Sequence, residues 1–132
     1  MKAKRIILYF VIFVIPISSF CQDLNMNKNL VAEITSKFES VPNPIEYAKK
    51  ESINGTMDFE KVLENEKGWL FVFDGIGYNK DNFKILLWGI VAKKIGITSL
   101  KIAKETWESI YNRPLSGSEL KAFKKGYKCN KY

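Results

Sequence analysis

The stretch Ile85 to Ala92, Ile-Leu-Leu-Trp-Gly-Ile-Val-Ala, carries no ionisable side chain on any face, and helix punctuation brackets it on both sides. Asp81 is placed to cap a helix and Gly96 to stop it, with Phe83, Leu86, Leu87, Ile90 and Val91 turned inward. A helix that is apolar all round must be surrounded by other elements or by lipid. Eight residues rise only about 12 Å, which is far short of a bilayer. The segment is therefore expected to run through the centre of a small core. With 132 residues in the chain, one domain is the natural outcome.

The segments around it carry amphipathic patterns. Leu30, Val31, Ile34 and Phe38 make one helical stripe, and Val41-Pro42-Asn43-Pro44 interrupts it. Asn43 with Pro44 opens a second helix bearing Ile45, Tyr47 and Ala48, and Asp58 to Lys67 reads as a third with Phe59, Val62 and Leu63 on one face. Ser99 caps a helix to about Tyr111 with Leu100, Ala103, Trp107 and Ile110 inward. Ser116-Gly117-Ser118-Glu119 has the spacing of a capping box and opens a last helix with Leu120, Phe123 and Tyr127 inward. Trp69 to Phe73 is continuously apolar and suits a short buried strand, for which Ile53 to Phe59 is the available partner. The expected fold is mainly α: a single-domain bundle of four to five short helices over residues 30–132, with room for one short strand or hairpin.

The N-terminus reads as an address. Lys2, Lys4 and Arg5 precede the apolar run Ile6 to Ile15, and Pro16 then leads into the small polar stretch before Cys21. This is the layout of a secretory signal peptide and resembles many bacterial export signals, with cleavage expected before Gln22. Residues 1–21 are thus assigned to the signal and 22–29 to a flexible segment ahead of the domain. The expected destination is periplasmic or secreted. A lipoprotein anchored at Cys21 is the alternative, disfavoured by the large Phe20 before it. Cleavage would leave one thiol, Cys129, so the fold must rest on its core and not on an internal disulfide.

The chain contains no histidine, which removes the commonest general base and the commonest metal ligand. No cofactor or metal is implied, and no residue is singled out as catalytic. For chemistry only carboxylates remain, such as Glu60 with Glu64 and Glu105 with Glu108, and near neighbours on one helix do not flank a substrate. The loop Asp74 to Asp81 is glycine-rich, yet Lys80 stands where a dinucleotide fingerprint needs its third glycine. Turn chemistry accounts for that loop.

Charge changes sign along the chain. Gln22 to Ala92 holds 8 Lys/Arg against 11 Asp/Glu, a net of −3, whereas Lys93 to Tyr132 holds 10 against 3, a net of +7. Lys121, Lys124, Lys125 and Lys128 share one side of the last helix, opposite its aromatic residues. That side is the candidate surface for an anionic partner.

Val91 to Ile102 resembles a helix-turn-helix, with Ala92 small, Gly96 at the turn, and Val91, Ile95, Ile97 and Ile102 packing. Glu105 departs from that pattern, and export argues against chromosomal DNA as the partner. The leading expectation is a small exported binding protein without catalytic activity, whose partner is a protein in the envelope or outside the cell. The alternatives are a surface-active protein that holds anionic lipid or polymer weakly through its basic helix, a carboxylate-dependent hydrolase and a helix-turn-helix nucleic-acid binder. The identity of the partner and the oligomeric state are not encoded in any pattern of the sequence.

Overall fold

The computed structural model describes residues 30–132; the expected signal peptide at 1–21 and the segment 22–29 lie outside the described residues. The fold is mainly helical, with one short antiparallel hairpin. Helical turns at 30–35 (α1) are followed by α2 (Pro44–Glu51), the single turn α3 (Phe59–Val62), strands β1 (Phe71–Phe73) and β2 (Ile76–Tyr78), and helices α4 (Lys80–Ile95), α5 (Leu100–Tyr111) and α6 (Gly117–Tyr127). Among the described residues the helix count is thus six and not four to five, because α1 and α3 are short but separate.

Helix α4 is the axis of the core, with ten of its 16 residues buried, Phe83 and Trp88 among them. It begins slightly earlier than the sequence suggests. Asn79, not Asp81, is the cap, its side-chain oxygen accepting the Asn82 amide N–H at 2.8 Å. Gly96 ends the helix in the left-handed region, at φ 112°, as its position predicts.

The close neighbour of α4 is α6, and two glycines bring the helices together. A Cβ on Gly89 would stand 2.6 Å from the Phe123 carbonyl oxygen, and one on Gly126 would run into the carbonyl oxygen of Leu86. Only hydrogens fit between the backbones at that crossing. Tyr127 adds a polar tie, its hydroxyl donating to the Ile97 carbonyl at 2.7 Å, which pins α6 to the turn after α4. Trp88 and Phe123 stack across the same interface with centroids 5.7 Å apart.

The remaining elements cover the rest of α4. Val31, Ile34 and Phe38 are buried as their stripe predicts, and the Lys94 ammonium donates to the Thr35 carbonyl at 2.7 Å, where α1 ends. Helix α2 buries Ala48 but leaves Ile45 exposed. Helix α3 stops at Val62 and not at Lys67: Asp58 caps it and Leu63 is buried, but the polar run Glu64 to Lys67 has nothing to bury.

The strand has a different partner from the one expected. Phe71 to Phe73 pairs with Ile76 to Tyr78, in register Phe71 with Tyr78, Val72 with Gly77 and Phe73 with Ile76. Asp74 (φ 50°) and Gly75 (φ 74°) are both left-handed, the conformation that a two-residue hairpin needs to follow strand twist. Phe71 stacks on Phe83 at 4.6 Å, so the hairpin's inner face joins the α4 core. Trp69 and Leu70 lie ahead of the strand and are exposed.

The helix-turn-helix pattern is half realised. Gly96 makes the turn and Val91, Ile95 and Ile97 are buried, but Ile102 is exposed. The small residues that admit a helix against α4 are Gly89 and Gly126, and the helix admitted is α6. Among the described residues no helix is long and apolar enough to cross a membrane.

Candidate functional site

Helix α6 starts where the sequence places it. The Ser116 hydroxyl accepts the Glu119 amide and the Glu119 carboxylate accepts the Ser116 amide at 2.9 Å, the reciprocal pair of a capping box. With Ala122, Phe123, Gly126 and Tyr127 committed to the α4 interface, the residues at i, i+3, i+4 and i+7 on the opposite side are Lys121, Lys124, Lys125 and Lys128. All four lie along one outward stripe.

Their environments differ. Asp74, at the tip of the hairpin, receives the Lys131 ammonium at 2.7 Å and the Lys125 ammonium at 3.3 Å. Hydrogen bonds from Lys131 and then Lys125 hold the Asp74 carboxyl below its ordinary range. Lys125 is thus half-buried and answered. Lys121, Lys124 and Lys128 are exposed, with no carboxylate within salt-bridge distance among the described residues. Lys93 flanks them, its ammonium 2.9 Å from the Asn130 side-chain oxygen and 5.7 Å from the Tyr127 ring centroid. Among the described residues, three of the four candidate lysines are therefore unanswered cations, and the fourth is tied to the hairpin.

A second feature lies near the other end of α6. A cleft of about 430 Å³ is lined by Trp88, Trp107 and Tyr111, with Asp58, Glu60, Asp81, Glu119, Lys84 and Arg113 also bordering it. No single stretch of sequence contains it. It forms where α2, α3, α4 and α5 meet, so only the aromatic character of Trp107 and Tyr111 hinted at it.

Both cations in the cleft are engaged. Lys84 bridges Glu60 at 2.8 Å and Asp81 at 3.0 Å. Burial alone would lower its pKa, but the hydrogen bonds to the two carboxylates outweigh it and raise it. Arg113 makes a two-pronged contact with Glu119, both arms at 2.8 Å, while lying 4.8 Å from the Trp107 ring centroid. That contact holds the Glu119 carboxyl down at about 2, so it is an ionised acceptor across the working pH range. Burial pushes the Tyr111 hydroxyl up, which keeps it neutral and donating to the Ser52 carbonyl at 3.4 Å.

The carboxylate pairs noted in the sequence do not assemble into a shared site. Glu108 pairs with Lys104 at 3.2 Å and accepts the Leu115 amide at 2.9 Å, bracing the α5–α6 connection, while its neighbour Glu105 is exposed. Glu60 meets Lys84, and Glu64 is exposed on the turn after α3. Among the described residues no group of three or more potential metal ligands forms. Cys129 is half-buried and, among the described residues, free.

No protein-family model, no curated protein and no solved structure matches the chain. The functional reading rests on the two surface features alone.

Proposed function

We propose that this is an exported binding protein, not an enzyme, and that it docks an anionic partner on the outer stripe of α6. The observation that carries this reading is the unequal treatment of the four lysines. Asp74 answers Lys125, whereas Lys121, Lys124 and Lys128 have no carboxylate partner among the described residues and project from a helix whose other side is locked into the core. Three like charges within two turns of a helix repel one another modestly, and an anionic partner turns that cost into attraction. The cleft is the weaker candidate, because its lysine and arginine already have carboxylate partners.

Binding to a soluble polyanion, polyphosphate, measured by calorimetry, tests the proposal. The triple variant Lys121→Glu, Lys124→Glu, Lys128→Glu keeps the fold and loses binding; Lys125 is left alone because its reversal would set a carboxylate beside Asp74. Binding by the parent also weakens as salt rises from about 50 to 200 mM, where the Debye length falls below about 10 Å. Polyphosphate binding that ignores both changes refutes the reading. A protein partner from the envelope that remains bound to the triple variant would place the docking surface elsewhere.

A further inference from the structure

We infer that the cleft between α2, α3, α4 and α5 binds a small organic cation, an ammonium group carried on an apolar body, at a site independent of the α6 stripe. Depth sorts the residues that line it. Met57, Phe59, Ile85, Trp88 and Trp107 are buried and make an apolar floor, whereas Ile53, Glu60 and Asp81 stand exposed at the mouth. A volume of about 430 Å³ falls in the range of small-ligand pockets, which combine an apolar lining with a few polar groups that fix orientation.

Charge decides the sign of the ligand. Four carboxylates, Asp58, Glu60, Asp81 and Glu119, border the cleft against two cations, Lys84 and Arg113, a net of −2. Arg113 holds Glu119 with both arms at 2.8 Å, so that pair cancels. Lys84 is then left with three carboxylates. It holds Glu60 by Oε2 and Asp81 by Oδ1, and among the described residues Glu60 Oε1 and Asp81 Oδ2 have no hydrogen-bond partner. Asp58 accepts from the Asn54 and Lys61 amides and keeps its charge.

Tyr111 senses the same field. Burial first, then the Asp58 charge, push its hydroxyl up, with Glu60 adding to them and the Ser52 contact and Lys84 opposing. Charges from α3 and α4 therefore converge on a ring carried by α5. An anion entering here would have to break the carboxylate contacts that Lys84 and Arg113 already make. An ammonium meets free carboxylate oxygens instead, beside an aromatic wall that already holds one cation, Arg113 at 4.8 Å from the Trp107 centroid. The apolar body of the ligand covers the floor.

The test titrates the full chain with phenethylamine, hydrocinnamate and phenethyl alcohol, which attach a positive, a negative or no charge to one ring. Binding is followed by NMR at the indole N–H groups of Trp88 and Trp107, which line the cleft. The amine is expected to saturate with a Kd of about 1 mM or tighter, and to bind at least about tenfold more tightly than the other two. The double variant Glu60→Gln, Asp81→Asn, changed only at exposed side chains, weakens amine binding by about tenfold. Ile53→Arg, which places a cation at the exposed mouth, weakens it as well. If the double variant loses the parent's circular dichroism spectrum, Ile53→Arg carries the test. The α6 triple variant binds the amine like the parent. The inference is overturned if the parent does not saturate by about 10 mM amine, or if either of the other probes binds as tightly. It is equally overturned if either folded cleft variant binds the amine like the parent, or if the α6 triple variant loses it. Polyphosphate binding, which tests the α6 reading, is expected to be unchanged in both cleft variants, so the two proposals fail separately.

Discussion

The indole N–H of Trp88 donates to the hydroxyl of Ser52 at 3.0 Å, across 36 residues of sequence and inside the core, and the Ser52 hydroxyl in turn donates a hydrogen bond to the Ala48 carbonyl. Trp88 is 1% exposed, and Ser52 is its hydrogen-bond acceptor. Ser52→Ala should therefore lower stability by about 1 to 3 kcal/mol, the cost of an unsatisfied buried donor. Trp88→Ala should cost more, about 3 to 5 kcal/mol, and Tyr132→Ala less, since Tyr132 is only half-buried. Urea midpoints rank the three. Equal midpoints would mean that α4 is not the core.

Glycine-to-alanine changes in a helix interior usually stabilise by up to about 1 kcal/mol. At Gly89 and Gly126 the sign should reverse. Each new methyl would meet the backbone of the facing helix, which cannot swing away as a side chain would. A loss of about 1 to 3 kcal/mol or more is expected for either change, read as a fall in the thermal midpoint. A stabilised Gly126→Ala would show that α4 and α6 do not approach this closely.

The Arg113–Glu119 contact gives stability a defined pH dependence. Glu119 has a folded pKa of about 2 against an ordinary value of 4.5. A depressed carboxyl stabilises the fold fully above its unfolded pKa, and that contribution is lost as pH falls from about 4.5 toward 2. Arg113 is half-exposed, so Arg113→Ala should cost on the order of 1 kcal/mol at neutral pH. The gap between parent and variant should narrow as the pH is taken from 7 down to 2 in urea titrations. A gap that stays constant would show that Arg113 acts through Trp107 and not through Glu119.

The export reading makes a prediction of its own. Intact mass of the polypeptide recovered from its native host should correspond to a chain beginning at Gln22, because the apolar run Ile6 to Ile15 is too short to remain as a span. A lipid-modified Cys21 or a full-length chain in the membrane fraction would contradict it.

Much of the secondary structure was legible because it is set by local chemistry. Ser99 and Ser116 cap α5 and α6 at the residues their spacing predicts, since a hydroxyl and an amide three residues apart need no distant partner. Gly96 ends α4 for the same local reason. The four lysines of α6 share a side because helical periodicity alone puts them there. The strand misled the reading because an apolar run does not announce its partner. Only the left-handed pair Asp74 and Gly75, folding the chain back on itself, shows that Ile76 to Tyr78 fills that place.

From the sequence alone came a mainly helical fold, a central apolar helix and a basic final one, all properties of residues near one another along the chain. Tertiary structure decided which helix lies against α4, because that depended on two glycines 37 positions apart meeting face to face. It also decided which lysines remain unanswered, since Asp74 reaches Lys125 and Lys131 only once the hairpin has folded against the end of α6. Periodicity specifies a face; contacts between distant segments decide what is left on it for a partner to meet.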